Sequence, residues 1–129
     1  MAVRIVRLGT KRARGEGPRI GTVRKPPRGV PKSRFAADDW YDVWFPTLAP
    51  SVPVMKLGLA ASNDEQWAAF ARKYRAEMAK PEASRALDVL ATLSRDADFS
   101  VGCYCEDEAR CHRGILRALL RERGAKIRG

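Results

Sequence analysis

All three cysteines and the single histidine of this chain fall within one stretch, Phe99 to Leu120, FSVGCYCEDEARCHRGILRALL. Locally it is a short apolar strand, with Phe99, Val101, Cys103 and Cys105 on one face, running through an acidic turn into an amphipathic helix. This spacing predicts Cys105 at the carboxyl end of a strand and Cys111, His112 and Arg113 in the early turns of the helix after it. Ligands of open α/β sheets bind at such junctions, where free backbone N–H groups and the helix dipole converge. The rest of the chain is read around this junction.

At 129 residues the chain is expected to form one domain over residues 1–129, large enough to stand without disulfides. Three clustered cysteines do not make a secreted framework. No run reaches the length of a membrane span, and MAVRIVRLGT lacks the apolar core of a secretory signal, so the expected location is a reducing cytoplasm. Charge is unevenly spread. Residues 1–34 hold eleven Lys and Arg against the single acid Glu16, a net of +10, whereas residues 35–129 hold fourteen of each sign. This basic segment is either a solvated arm or a surface for nucleic acid, nucleotide or another phosphate compound. It has no aromatic residue before Phe35 on which a base can stack.

In chain order, residues 2–8 (AVRIVRL) read as a strand apolar on both faces, and Lys11–Gly17 as a basic loop. Arg19–Lys25 reads as a second strand that Pro26 and Pro27 end, followed by the stiff basic loop Pro27–Arg34. Phe35–Phe45 places Trp40, Val43 and Trp44 at helical spacing opposite Asp38, Asp39 and Asp42, which predicts a short helix with both tryptophans in the core. Ser51 is placed to cap a helix over 52–60. Ser62 and Glu65 have capping-box spacing for a helix to about Ala79. Its buried stripe is Trp67, Phe70, Ala71, Tyr74 and Met78, with Tyr74 and Glu77 able to reach a cleft. Pro81 opens a further helix to about Arg95, Asp107 starts the last one, Gly124 stops it, and the tail 125–129 frays or adds an edge strand.

The C-x-C-x5-C-H-R cluster admits three chemistries. A metal site would draw on Cys103, Cys105, Cys111 and His112, although Cys111 and His112 are adjacent and diverge on a helix. A thiol site would use Cys105 as nucleophile with His112 as base, or Cys105 and Cys111 as a redox pair. The helix terminus and Arg113 favour thiolate there, while Glu106, Asp107 and Glu108 oppose it. An anion site would clamp a phosphate or carboxylate between Arg113, the backbone N–H groups of the helix start, and Arg24 or Arg28. In that case the cysteines are small buried hydrophobes; a fourth reading without chemistry makes His112 too a satisfied core polar group.

Several further residues give a resemblance. Pro27-Arg28-Gly29 followed by Lys32, Trp44, Leu48-Ala49-Pro50-Ser51, the pattern Trp67, Phe70, Tyr74, Glu77, and Cys105-Glu106 with Cys111-His112-Arg113 together resemble the YeaO-like proteins, domain of unknown function 488. The resemblance implies an α/β fold and no established activity. Pro26 stands where the YeaO-like branch has an aromatic residue. That branch often lacks the Cys-His-Arg element, which points to Arg28 and the helix-terminus site as the shared part.

These readings combine into a single three-layer α/β domain, a small mostly parallel sheet flanked by helices. The Pro27–Arg34 loop and the Cys105–Arg113 turn are expected to meet at the carboxyl edge of the strands. The leading expectation is an anionic small molecule or nucleotide bound by Arg24, Arg28, Glu106 and Arg113, with Cys105, Cys111 and His112 as catalytic candidates and no resident cofactor. The alternatives are a nucleic-acid-binding module using residues 1–34 and a thiol redox or metal-binding module.

Overall fold

A computed structural model describes residues 1–129. Five strands, β1 (Val3–Arg7), β2 (Arg19–Gly21), β3 (Val43–Trp44), β4 (Phe99–Cys103) and β5 (Ile127–Arg128), form one sheet in the order β3-β2-β4-β1-β5. Every pairing is parallel, with Val3 opposite Phe99, Ile5 opposite Val101 and Ile20 also opposite Val101. β4 lies between β1 and β2 and is buried along its whole length, which explains its unbroken apolar and small composition.

Four helices complete the fold: α1 (Val52–Ala60), α2 (Asp64–Met78), α3 (Pro81–Leu93) and α4 (His112–Glu122). Their buried residues, among them Val54, Phe70, Tyr74, Leu87, Leu90, Leu116 and Leu120, join one cluster with Val3, Phe99 and Val101. Strand alternation places those three strand residues on one side of the sheet, so all four helices cover that face. The opposite face carries Arg4, Val6, Arg19, Gly21, Ser100 and Gly102, and irregular chain covers it: the loop after β1 and the turns of residues 35–41. The flanking layers are therefore unlike, one helical and one built from loops. No helix is long and apolar enough to cross a membrane.

A buried ion pair organises the loop layer. The Arg19 and Glu16 side chains are 1% and 2% exposed and meet at 2.5 Å. The second Nη of Arg19 also reaches Glu16, at 3.2 Å, and the other donates to the carbonyls of Thr10 and Asp39 at 2.8 and 2.7 Å. Glu16 accepts further from Ala13 N–H and Ser100 Oγ. Burial alone raises the Glu16 carboxyl, and the hydrogen bonds from Arg19, Ala13 and Ser100 outweigh it, leaving its pKa below the ordinary value.

The helix expected over Phe35–Phe45 is not formed. Residues 35–39 make tight turns, Asp39 takes a left-handed conformation with φ 62°, and Val43–Trp44 pairs with β2 as β3. Long-range contacts to Asp39 and Asp42 explain the difference. Asp38 binds Arg34 at 2.6 Å, Asp39 binds Arg12 at 3.2 Å, and Asp42 binds Arg12 at 2.8 Å and the Arg19 N–H at 2.7 Å. The Arg12 and Arg19 contacts reach across the chain and hold Asp39 and Asp42 out of a helix, whereas the Arg34–Asp38 pair has an i,i+4 spacing that a helix also allows.

Smaller differences have local causes. Ser51 does not cap α1 through its side chain; its N–H donates to Glu77. The cap of α2 is Asn63, one residue beyond the expected Ser62; it accepts from Gln66 N–H, while the Gln66 side chain accepts from the Ser62 N–H and hydroxyl rather than from Asn63, so no reciprocal box closes. Asp107 caps only a short 3-10 turn, Glu108–Arg110. Cys111 is extended, so α4 starts at His112.

Arg19→Met is expected to destabilise the fold by about 3–5 kcal/mol, because it strands a buried carboxylate. Adding Glu16→Gln should recover part of the loss in a denaturant double-mutant cycle. Since the folded Glu16 pKa is depressed, its contribution is present above the unfolded carboxyl pKa of about 4.3 and fades as pH falls through the folded value. Glu16→Gln should therefore lower stability at pH 7 and flatten its decline under acid.

Candidate functional site

The carboxyl ends of β1, β4 and β2 stand side by side at Arg7, Cys103 and Gly21. The segments leaving them enclose a cleft of about 540 Å³ whose walls include Arg7, Thr10, Lys25, Arg28, Trp40 and Tyr104. No acidic residue lines it. Trp40 and Tyr104 meet edge to face with centroids 5.8 Å apart. The Tyr104 hydroxyl donates to the Lys25 carbonyl at 2.8 Å, and Arg7 Nε donates to the Tyr104 carbonyl at 3.3 Å. Gly9 has φ +86° and the Trp40 ring lies where its Cβ would stand, so glycine is required both for the backbone and for the ring's seat.

A second centre lies where β4 meets α4. The sulfurs of Cys103 and Cys111 meet, with these residues 1% and 2% exposed. His112 Nε2 lies 2.7 Å from the Thr22 carbonyl oxygen, which can only accept, so this nitrogen carries the proton. Nδ1 is then the lone-pair nitrogen, and it faces Cys111 Sγ at 3.9 Å. Tyr74 packs edge-on to the imidazole at 5.4 Å, its own hydroxyl held by the Leu48 carbonyl at 2.6 Å. Burial pushes the His112 pKa down to about 4, outweighing the Thr22 hydrogen bond, so the ring is uncharged at neutral pH.

Cys105 belongs to neither sulfur contact. It is a free, half-buried thiol beside a small hollow of about 50 Å³ that Cys111, His112, Trp67 and Phe70 also line. Burial raises its pKa despite Arg113 and Arg7, which keeps it a thiol at neutral pH. The expected Cys105–Cys111 redox pair is therefore replaced by Cys103–Cys111 as the converging sulfurs. The cause is the extended Cys111, which delays α4 and turns its side chain toward the strand.

The arginines separate. Arg28 is exposed and lines the large cleft. Arg24 is drawn away, donating to the carbonyls of Pro50, Pro46 and Ala49, and faces a different hollow with Glu77 and Lys80. Arg113 is 5% exposed, donates to the Glu106 carbonyl at 3.1 Å, and has an unpartnered Nε. It does not line the cleft of Arg28. Burial lowers its pKa, offset in part by Glu108 and Cys105. Glu106 is exposed and enters these contacts only through its carbonyl. Both loops do reach the carboxyl edge, but the cations gathered there are Arg7, Lys25 and Arg28. Nothing in the sequence singles out Tyr104 or Trp40 for this cleft, and Trp40 packs against the cluster of Leu8, Val23 and Tyr41 as well as lining it. The available signal was Arg7 at a strand's carboxyl end.

Fold and site together define a small parallel α/β protein with a basic, aromatic sheet-edge cleft beside a Cys/His cluster. Residues 3–124 match the family model DUF488-N3a, described as the active DUF488-N3 subclade, and the chain belongs to that family. No curated protein and no solved structure matches it.

Arg113 thus holds the turn after β4. Arg113→Met is expected to speed amide exchange across Tyr104–Asp107 while changing stability by only about 1 kcal/mol, since one hydrogen bond is lost and no buried carboxylate is stranded. Unchanged exchange in that turn would contradict this role.

Proposed function

We propose that the protein binds an anionic ligand bearing a flat ring, of the nucleotide class, in the cleft between Arg7, Lys25 and Arg28. The observation that carries this reading is the company those cations keep: three basic side chains and two aromatic rings, with no carboxylate, at the carboxyl edge of a parallel sheet. Guanidinium groups suit phosphate or carboxylate oxygens, and Trp40 with Tyr104 offers an apolar wall for a ring. A volume of about 540 Å³ falls in the range of small-molecule sites. Arg24, Glu106 and Arg113 take no part in contacting this ligand. A reducing cytoplasm is the setting the reading assumes.

The second reading, a nucleic-acid surface, draws on basic residues of the first segment that form no ion pair, among them Arg4, Lys11, Arg14 and Lys32. Titration calorimetry with inorganic phosphate, nucleoside monophosphates and nucleoside triphosphates separates the two. Saturable nucleotide binding is expected, weakened about tenfold by Arg28→Ala, the scale of one charge-assisted hydrogen bond. Trp40→Ala should weaken nucleotides more than phosphate. Absence of saturable binding, or indifference to Arg28→Ala, would overturn the proposal. Single-stranded DNA binding that collapses with salt yet ignores Trp40→Ala would favour the second reading.

A further inference from the structure

We infer that Cys103, Cys111 and His112 form a zinc site with three protein ligands and a fourth position left for water or a substrate heteroatom. The two Sγ atoms and one imidazole nitrogen of these residues lie within 4.8 Å of one another. The Cα atoms of the two cysteines stand 7.9 Å apart, beyond the roughly 4.4–6.8 Å that disulfides span. Two thiolates bound to one zinc at about 2.3 Å stand about 3.8 Å apart across a tetrahedral angle, a separation that this wider backbone spacing accommodates by side-chain rotation.

An independent observation concerns the imidazole. The Thr22 carbonyl fixes the proton on Nε2 and leaves the Nδ1 lone pair toward Cys111. Metal-bound histidines are characteristically held this way, the far N–H donating to a backbone carbonyl that sets both tautomer and ring angle. The donor set of two soft sulfurs and one nitrogen suits zinc, and two thiolates neutralise its charge, which fits the near-complete burial of both cysteines. Cys105 falls outside the cluster. The hollow of about 50 Å³ lined by Cys105, Cys111, His112, Trp67 and Phe70 lies beside two of the three ligands and is on the scale of a bound water. Zinc with three protein ligands and one exchangeable position is the arrangement of catalytic rather than structural sites.

The test uses the full chain, reduced, stripped with chelator, and titrated with Zn²⁺ or Co²⁺ alone. One metal per chain is expected, with Co²⁺ giving thiolate charge-transfer bands and the visible bands of a tetrahedral ion. Cys103→Ser and His112→Gln should each weaken Zn²⁺ by more than about 100-fold, beyond the loss of an outer partner. Cys105→Ser should leave stoichiometry unchanged. Should Cys103→Ser fail to fold, the wild-type chain decides: its Co²⁺ charge-transfer intensity should correspond to two thiolates, and an intensity for one or three would overturn the assignment. Less than stoichiometric metal, a Co²⁺ spectrum without thiolate bands, loss of metal in Cys105→Ser, or a Cys103–Cys111 disulfide recovered under reducing conditions would each overturn the assignment. None of these outcomes depends on whether a nucleotide occupies the neighbouring cleft.

Discussion

The Arg19–Glu16 ion pair is the interaction on which the non-helical half of this protein depends. Burying an ion pair carries a heavy desolvation cost, and this one is tolerable because its polar atoms are nearly all matched: Arg19 spreads its donors over Glu16, Thr10 and Asp39, and Glu16 adds Ala13 and Ser100. These partners come from the loop after β1, from β4, and from the turn that carries Trp40. A face of the sheet that lacks a covering helix is thereby closed by a polar knot. The same bonds fix the positions of Thr10 and Asp39, and Asp39 in turn accepts from Gly9 N–H, directly beneath the Trp40 ring.

The two candidate sites are mechanically joined through three consecutive residues. Cys103 ends β4 inside the sulfur cluster, Tyr104 walls the large cleft, and Cys105 borders the small hollow. Extended chain sends adjacent side chains to opposite sides, so one short segment serves both. Tyr104 is anchored at each end, by its hydroxyl to Lys25 and by its carbonyl to Arg7.

The helical layer was largely legible in the sequence: α2 and α3 each combine apolar periodicity with a local start, near Ser62 and at Pro81, and α1 was placed by the turn that ends at Ser51. β1 and β4 were legible as apolar runs. The segment 35–45 was not. Its tryptophan spacing fits a helix, and only the arrival of Arg12 and Arg19 from other parts of the chain shows why Asp39 and Asp42 are held out of one. The site divides the same way. That the Cys-His-Arg turn and the Pro-Arg-Gly loop reach the sheet edge follows from local pattern. Which arginine faces solvent there does not, because Arg24 and Arg113 were removed by carbonyl oxygens of Pro50 and Glu106, and any residue type can supply a carbonyl.

The uneven charge of the chain is resolved by the same contacts. Of the basic residues in the first segment, Arg12, Arg19 and Arg34 are neutralised by Asp39, Asp42, Glu16 and Asp38, and Arg24 is saturated by carbonyls. The acids of residues 35–129 therefore do not lie evenly among the bases around them. Three of them fold back onto the first segment, and none enters the cleft of Arg7, Lys25 and Arg28. Net charge alone would attract any polyanion. Removing part of it by internal pairing leaves three unpaired cations around two aromatic rings, the place to which the proposed anionic ligand would be drawn.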